Sequence, residues 1–157
     1  MFYPCETSKG IFLVCLENGR ISRICFPDKN FLKKSSVPDI IKELSFDLDR
    51  YFGGENVGFD KYDLYLSGTE FQKNVWRFLS TIPYGTTVSY SDVARYLGNS
   101  AVRAVGSACG KNRIPIIIPC HRVIPKNGSL GGFSAGEKWK IFLLNCEKNI
   151  STKSKEL

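Results

Sequence analysis

Short apolar runs of changing period organise the chain. Residues 11–17 and 20–26 are apolar and rich in β-branched side chains, and Asn18-Gly19 between them is the strongest short-range hairpin signal. Residues 1–5 read as a further strand beside that hairpin. The period then lengthens. Ser36-Val37-Pro38-Asp39 reads as a helix start with a capping-box carboxylate, followed by Ile40, Ile41, Leu44, Leu48, Tyr51 and Phe52 at helical spacing, with Gly53-Gly54 as the stop. Tyr62, Leu64 and Leu66 alternate as a strand, and Ser67-Gly68 marks a boundary. Thr69-x-x-Gln72 is a capping box before a helix whose apolar stripe is Phe71, Val75, Phe78, Leu79 and Ile82, ended by Pro83 and a turn at Tyr84-Gly85-Thr86. Ser89, boxed with Asp92, starts a second helix that turns Val93, Ala94 and Leu97 inward and closes at Gly98. Asn99 or Ser100 caps a third helix running from Ala101 to about Cys109, so two short helices flank a glycine turn as in a helix-turn-helix. Residues 137–147 form a last predicted helix with Trp139, Phe142, Leu143 and Cys146 on one face, and residues 148–157 read as a frayed polar tail.

One stretch breaks the alternation. Pro115 to Ile118 reads as a buried strand, yet it runs into Pro119, a thiol at Cys120, the chain's single histidine at His121, Arg122, Val123, Ile124 and Pro125. Proline fixes φ and removes a donor, so Pro119 and Pro125 bracket a rigid segment that holds Cys120 in one place. Adjacent side chains point apart, so a base at His121 reaches the thiol only through a water or a sharp turn. A free cysteine titrates near pH ~8.5, and a neighbouring base with the field of Arg122 raises its thiolate fraction. The competing reading is a buried structural cysteine beside a satisfied surface histidine. Lys126-Asn127-Gly128-Ser129 reads as a second hairpin turn, and residues 131–136 as a flexible loop of the kind that closes over a ligand.

Composition and charge narrow the function classes. At 157 residues the chain suits one or two small domains, 1–66 and 67–150 with a tail at 151–157, and no run of about 18 apolar residues or signal-like start appears, so membrane and secretory readings fail and an intracellular setting is expected. Six scattered cysteines with no C-x-x-C pair make a structural zinc site unexpected, while a disulfide or thiolate site among Cys5, Cys15 and Cys25 stays open. Residues 1–66 carry nine Lys/Arg against ten Asp/Glu, net −1, whereas residues 67–157 carry thirteen against five, net +8. The basic half matches a nucleic-acid footprint, although a solvated lysine-rich surface gives the same count. Nothing catalytic stands out before residue 67, so a small α+β domain with a scaffolding role is the plain reading there. The third helix of the basic half is unusual: Ala101, Ala104, Gly106, Ser107 and Ala108 are small, and Arg103 is the one long charged side chain before Lys111. That suits close backbone and minor-groove contact with one inserted arginine better than major-groove readout.

Pro-Cys-His-Arg-Val at 119–123, with Gly68-Thr69-Glu70-Phe71-Gln72, residues 82–90, Arg103-Ala104-Val105-Gly106, Lys111-Asn112-Arg113 and Gly131-Gly132-Phe133-Ser134, resembles the O6-alkylguanine-DNA alkyltransferase family. The resemblance implies an α/β N-terminal domain with a ribonuclease-H-like three-stranded sheet and helix, then a C-terminal winged-helix-like helix-turn-helix domain. It implies a DNA repair protein that moves the alkyl group of O6-alkylguanine irreversibly to Cys120 by base flipping, with O4-alkylthymine left open. His121 would act through a water, Glu147 would fix its tautomer, Asn112 would support the turn, and Tyr90 would meet the flipped base. DNA contacts would come from Tyr90, Ser100, Arg103, Ala104 and Arg122, with Arg103 replacing the extruded nucleotide. The pocket would take Cys109, Val123, Phe133, Ser134 and Lys140, the Val123 carbonyl reading the base edge. The implied partner is double-stranded DNA carrying O6-alkylguanine, bound by a monomer, with cooperativity open and neither metal nor organic cofactor needed.

Departures from the family pattern touch the alkyl range. Phe133 stands where relatives often have tyrosine, Ala135 where glycine is common, and Cys109 replaces a bulkier apolar residue. From sequence alone Glu147 reads as solvent-exposed at a helix end. Two other classes compete: a lesion-binding relative without acceptor chemistry, which lacks the cysteine that this chain keeps at 120, and a Cys-His hydrolase, which leaves the basic helix-turn-helix unexplained.

Overall fold

The computed structural model describes residues 1–28 and 36–148, and the expected tail at 151–157 lies outside them. The chain divides into two compact units, Met1–Leu66 and Ser67–Leu157. In the first, β1 (Phe2–Thr7), β2 (Gly10–Glu17) and β3 (Arg20–Cys25) form an antiparallel sheet in that order. Asn18 and Gly19 both take positive φ, 51° and 75°, the geometry a two-residue hairpin needs to match the strand twist. Cys5 pairs with Phe12, Cys15 with Arg23 and Cys25 with Leu13, so none of the three thiols opposes another.

One face of the sheet buries Cys5, Phe12, Val14, Ile21 and Ile24. Against it packs α1 (Asp39–Phe52), which turns Ile41, Leu44, Leu48, Tyr51 and Phe52 inward. The alternation of period 2 and the stripe of period 3.6 thus meet in one core. Its start differs from expectation: Pro38 is the N-cap, and neither Ser36 nor Asp39 builds a capping box, because proline offers no side-chain acceptor. Asp47, unremarkable in sequence, is buried and receives Tyr62 Oη at 2.6 Å, Lys61 Nζ at 2.8 Å and Arg50 Nη1 at 3.2 Å. Burial raises its carboxyl pKa, but the bonds from Lys61 and Tyr62 outweigh it and hold the pKa below the ordinary value. The expected strand at 62–66 reduces to one parallel bridge, Leu64 to Ile21, since only Asp63 and Tyr65 reach the edge of β3, at Ile21.

The second unit is helical. Both capping boxes form: Thr69 with Gln72 opens α2 (Glu70–Leu79), and Ser89 with Asp92 opens α3 (Tyr90–Tyr96). After Gly98, at φ 67°, comes α4 (Val102–Gly110), whose N-cap is Ala101, with Asn99 Oδ1 accepting from the Ala101 amide at 2.8 Å. The last helix is α5 (Glu137–Glu147). Trp76 is buried on α2 and donates Nε1 to the Ala108 carbonyl of α4 at 2.8 Å. Trp76→Phe should therefore cost about 1–3 kcal/mol, one hydrogen bond plus lost volume, read as a lower urea midpoint at unchanged slope.

Two expectations around the central stretch are corrected. Residues 114–118 are buried but not extended: Ile116 sits at φ 74°, and Pro115 bridges only to Ile118, so the run is a tight turn. Two prolines without N–H groups could not have sustained a ladder there. The turn at 125–128, closed by Gly128 N donating to Pro125 O at 3.4 Å, makes no hairpin. Instead β4 (Val88–Ser89) and β5 (Val123–Ile124) pair in parallel, tying the start of α3 to the segment after Cys120.

Candidate active site

The segment that carries Cys120 is stapled from within. Asn112, buried just past α4, accepts the Ile114 amide on Oδ1 at 2.9 Å and donates Nδ2 to the Ile118 carbonyl at 2.8 Å. Cys120 N donates to that same carbonyl at 2.8 Å across Pro119, and Arg122 N donates to Pro119 O at 3.0 Å. Residues Cys120–Arg122 therefore form one turn of 3₁₀ helix. Successive residues on such a turn point about 120° apart, so Cys120 and His121 face different surroundings.

Cys120 faces a cavity of about 330 Å³ lined by Tyr90, Gly106, Cys109, Gly110, Cys120, Gly132, Phe133 and Ser134. That is the low end of small-ligand sites. Burial pushes the Cys120 thiol above its ordinary value, against an opposing hydrogen bond with Asn112 and the charge of Lys140. Burial likewise pushes Cys109 up to about 12 and raises Tyr90. At neutral pH both sulfurs are thiols, so a reacting Cys120 needs a base.

On the other side of the turn, His121 is fully buried and its Nε2 meets Glu147 Oε2 at 2.5 Å. Glu147 is buried as well, contrary to its sequence reading. Gly85 N donates to Oε1 at 3.1 Å, Arg122 Nε donates to Oε1 at 2.8 Å, and Arg122 Nη2 donates to Oε2 at 3.0 Å. Burial lowers the His121 pKa, Glu147 pulls it back up, and Arg122 and Lys140 lower it again, for a net fall. Burial raises the Glu147 carboxyl, but bonds and charges from His121 and Arg122 bring it down to about 2. At neutral pH the pair is an uncharged imidazole against a carboxylate, and the charge of His121 acts on Glu147 only once acid protonates the ring.

Of the residues expected at the site, Tyr90, Cys109, Cys120, Phe133 and Ser134 meet at the cavity, and Asn112, His121 and Glu147 gather behind it. Arg122, Lys140 and Val123 are not among the residues that line the cavity. Arg122, expected at DNA, spends its guanidinium on Glu147 and on the Ile82 carbonyl, 2.6 Å from Nη1. Lys140, expected in the pocket, is fully buried, donating Nζ to Val123 O at 2.9 Å and Gly132 O at 3.2 Å. Val123 is equally buried, its carbonyl already bonded to that ammonium. On α4, Val105, Ala108 and Cys109 face inward while Val102, Arg103, Ala104 and Ser107 are exposed, as is Ser100 before the helix.

Residues 70–149 match the family model of the 6-O-methylguanine DNA methyltransferase DNA-binding domain. The chain is 40% identical over 155 residues to an inducible methylated-DNA–protein-cysteine methyltransferase of Bacillus subtilis (strain 168), covering 96% of this chain and 86% of that one. It is 47% identical over 119 residues to a probable enzyme of the same name from Acanthamoeba polyphaga mimivirus, covering 75% and 78%. Among solved structures, Mycobacterium tuberculosis OGT in complex with DNA superposes with a TM-score of 0.81 at 36% identity, covering 94% of this chain and 92% of that one. The chain belongs to the methylated-DNA–protein-cysteine methyltransferase family.

In this methyltransferase the groups that sequence reasoning missed are those that enclose Glu147. Gly85, at φ 80°, turns its amide onto the carboxylate, and Tyr84 Oη donates to the Cys146 carbonyl at 2.8 Å. Tyr84-Gly85 was legible as a turn, but not as a clasp on a helix 62 residues away. Gly106 lies on the cavity wall, where an added Cβ would come within 4.0 Å of Tyr90 Cδ1, an ordinary contact.

The methyltransferase also acquires an acid-labile element. A carboxyl lowered from 4.5 to about 2 contributes stability that is complete above pH 4.5 and lost as pH falls toward 2. Thermal melts between pH 5 and pH 2.5 should show that decline in the second unit, and Glu147→Gln should flatten it. An equally steep decline in the variant would assign it to other groups.

Proposed function

We propose that this chain repairs DNA by moving the alkyl group of an O6-alkylguanine onto the sulfur of Cys120, once per molecule. The observation that supports this reading is a held thiol on the wall of a small cavity, with a neutral imidazole and carboxylate directly behind it. The thiol's proton passes to His121, with Nε2 held by Glu147 and Nδ1 receiving it through a water. The sulfur–carbon bond forms as the carbon–O6 bond breaks, and the electron pair leaves with guanine. A hydrogen bond from the Tyr90 hydroxyl, kept protonated by burial, meets the charge that develops on the base.

The product thioether has no group that water can displace, so the acceptor is consumed. Arg103, exposed on α4, fills the place of the flipped nucleotide, with Ser100 and Ala104 beside it against the backbone. One chain supplies Tyr90, Cys120, His121 and Glu147, which suits a monomer acting on double-stranded DNA, with its work inside the cell where that DNA lies. Residues 1–66 serve as scaffold. Intact and peptide mass spectrometry after mixing with excess duplex carrying one O6-methylguanine tests the reading. One methylene gained per chain, on the Cys120 peptide and without turnover, is the expected result; an unmodified protein that still retards the duplex would leave lesion binding without transfer.

A further inference from the structure

Arg122 stands beside the acceptor yet directs its guanidinium inward. Three of its donors are engaged, two forked onto the Glu147 carboxylate and one on Ile82 O, and its side chain is 12% exposed. The same carboxylate holds His121. We propose that Arg122 is a positioning residue that sets the protonation state of His121, neutralising Glu147 so that the imidazole stays uncharged and able to take the acceptor's proton. The inference rests on His121 serving as base for Cys120.

Burial is the largest influence keeping His121 uncharged, and the Glu147 carboxylate opposes it, because an opposite charge within ~4–6 Å stabilises the charged form. A charged His121 could accept nothing. Arg122 cancels that pull by taking both carboxylate oxygens while Glu147 still accepts from His121 and Gly85. The planar guanidinium takes both carboxylate oxygens and Ile82 O at once, whereas a lysine would lose the fork but keep the positive charge that neutralises Glu147. The charged and titratable groups around His121 are Glu147 and Lys140 from α5, Arg122 on its own turn, and Cys120 before it; Tyr84 faces Glu147 from the turn after α2. Lys140 cannot replace Arg122, since its ammonium is committed to Val123 O and Gly132 O.

His121 is the chain's one histidine, so its ring signals can be followed by NMR without assignment. Wild type, R122M and R122K are titrated, and the rate of benzyl transfer from free O6-benzylguanine is measured across the same pH range without DNA. In wild type the His121 midpoint should lie below the ordinary 6.5. In R122M it should rise by about one pH unit or more, and the acid limb of the rate should follow, roughly a tenfold deeper loss at pH 6 than on the plateau. R122K keeps the charge and should keep the midpoint below 6.5. An unmoved midpoint with an equal rate loss at every pH would reduce Arg122 to a structural brace, as would an R122K midpoint above 6.5 if R122M does not fold. A loss seen only when methyl transfer from an O6-methylguanine duplex is assayed beside the free base would return it to phosphate contact. Should the wild-type rate show no limb at the His121 midpoint, the base assignment fails, while the NMR titration still reports whether Arg122 governs the imidazole.

Discussion

Cys120→Ser should yield a protein that gains no methyl group from O6-methylguanine duplex yet retards that duplex as wild type does. The substitution exchanges sulfur for oxygen in a side chain 6% exposed and leaves the Asn112 staple and the 3₁₀ turn intact, so fold and DNA surface persist. What is lost is the nucleophile. A thiol, even one raised by burial, ionises far more readily than an alcohol, and the thiolate is the reactive form. Removal of a catalytic nucleophile costs roughly 10⁴–10⁶-fold in rate, which places transfer by the variant below detection in a single-turnover assay. The mass spectrum decides between sites as well. Five other cysteines are present, and a methylene retained on any of them in the variant would displace Cys120 as acceptor.

Arg103→Ala should slow repair of duplex by about 10–100-fold while leaving the reaction with free O6-benzylguanine within about twofold. Extruding a base costs a few kcal/mol, each 1.4 kcal/mol being about a tenfold change, and a side chain that fills the vacated place offsets part of that cost. Arg103 is suited to this by isolation. It projects from the exposed face of α4 between Val102 and Ala104, on a helix whose other residues are small enough to lie close to a nucleic-acid backbone. The free base needs no extrusion and should not feel its loss. Equal losses on both substrates would show that the arginine supports the cavity itself.

Much of this molecule could be read from local pattern. Asn18-Gly19, the two capping boxes at Thr69/Gln72 and Ser89/Asp92, and the stripe of α1 encode structure within a few residues, and they appear where the local pattern puts them, whereas on α2 Trp76 is buried and the expected Phe71 and Phe78 only half so. Reading failed where apolar character was taken for extension: residues 114–118 are buried because other elements cover them, while Asn112 and two prolines bend them into a turn. Nor did it show where Arg122 and Lys140, two long cations near the thiol, direct their charges. Each is drawn inward by acceptors that no local pattern reveals, a carboxylate 25 residues on for Arg122 and a carbonyl 17 residues back for Lys140.

The sequence by itself determined the α+β class, the succession of short capped helices and the basic half, because each depends on residue type and short spacing. Tertiary structure alone decided what surrounds the Cys120 thiol. Glu147 becomes a buried carboxylate only when the Tyr84-Gly85 turn and Arg122 close on the end of α5. Its charge, and with it the protonation of His121, is set by neighbours brought together through folding and not by neighbours in the chain. Burial and opposing charge act through space, over a few ångströms, at distances along the chain that residue order does not encode.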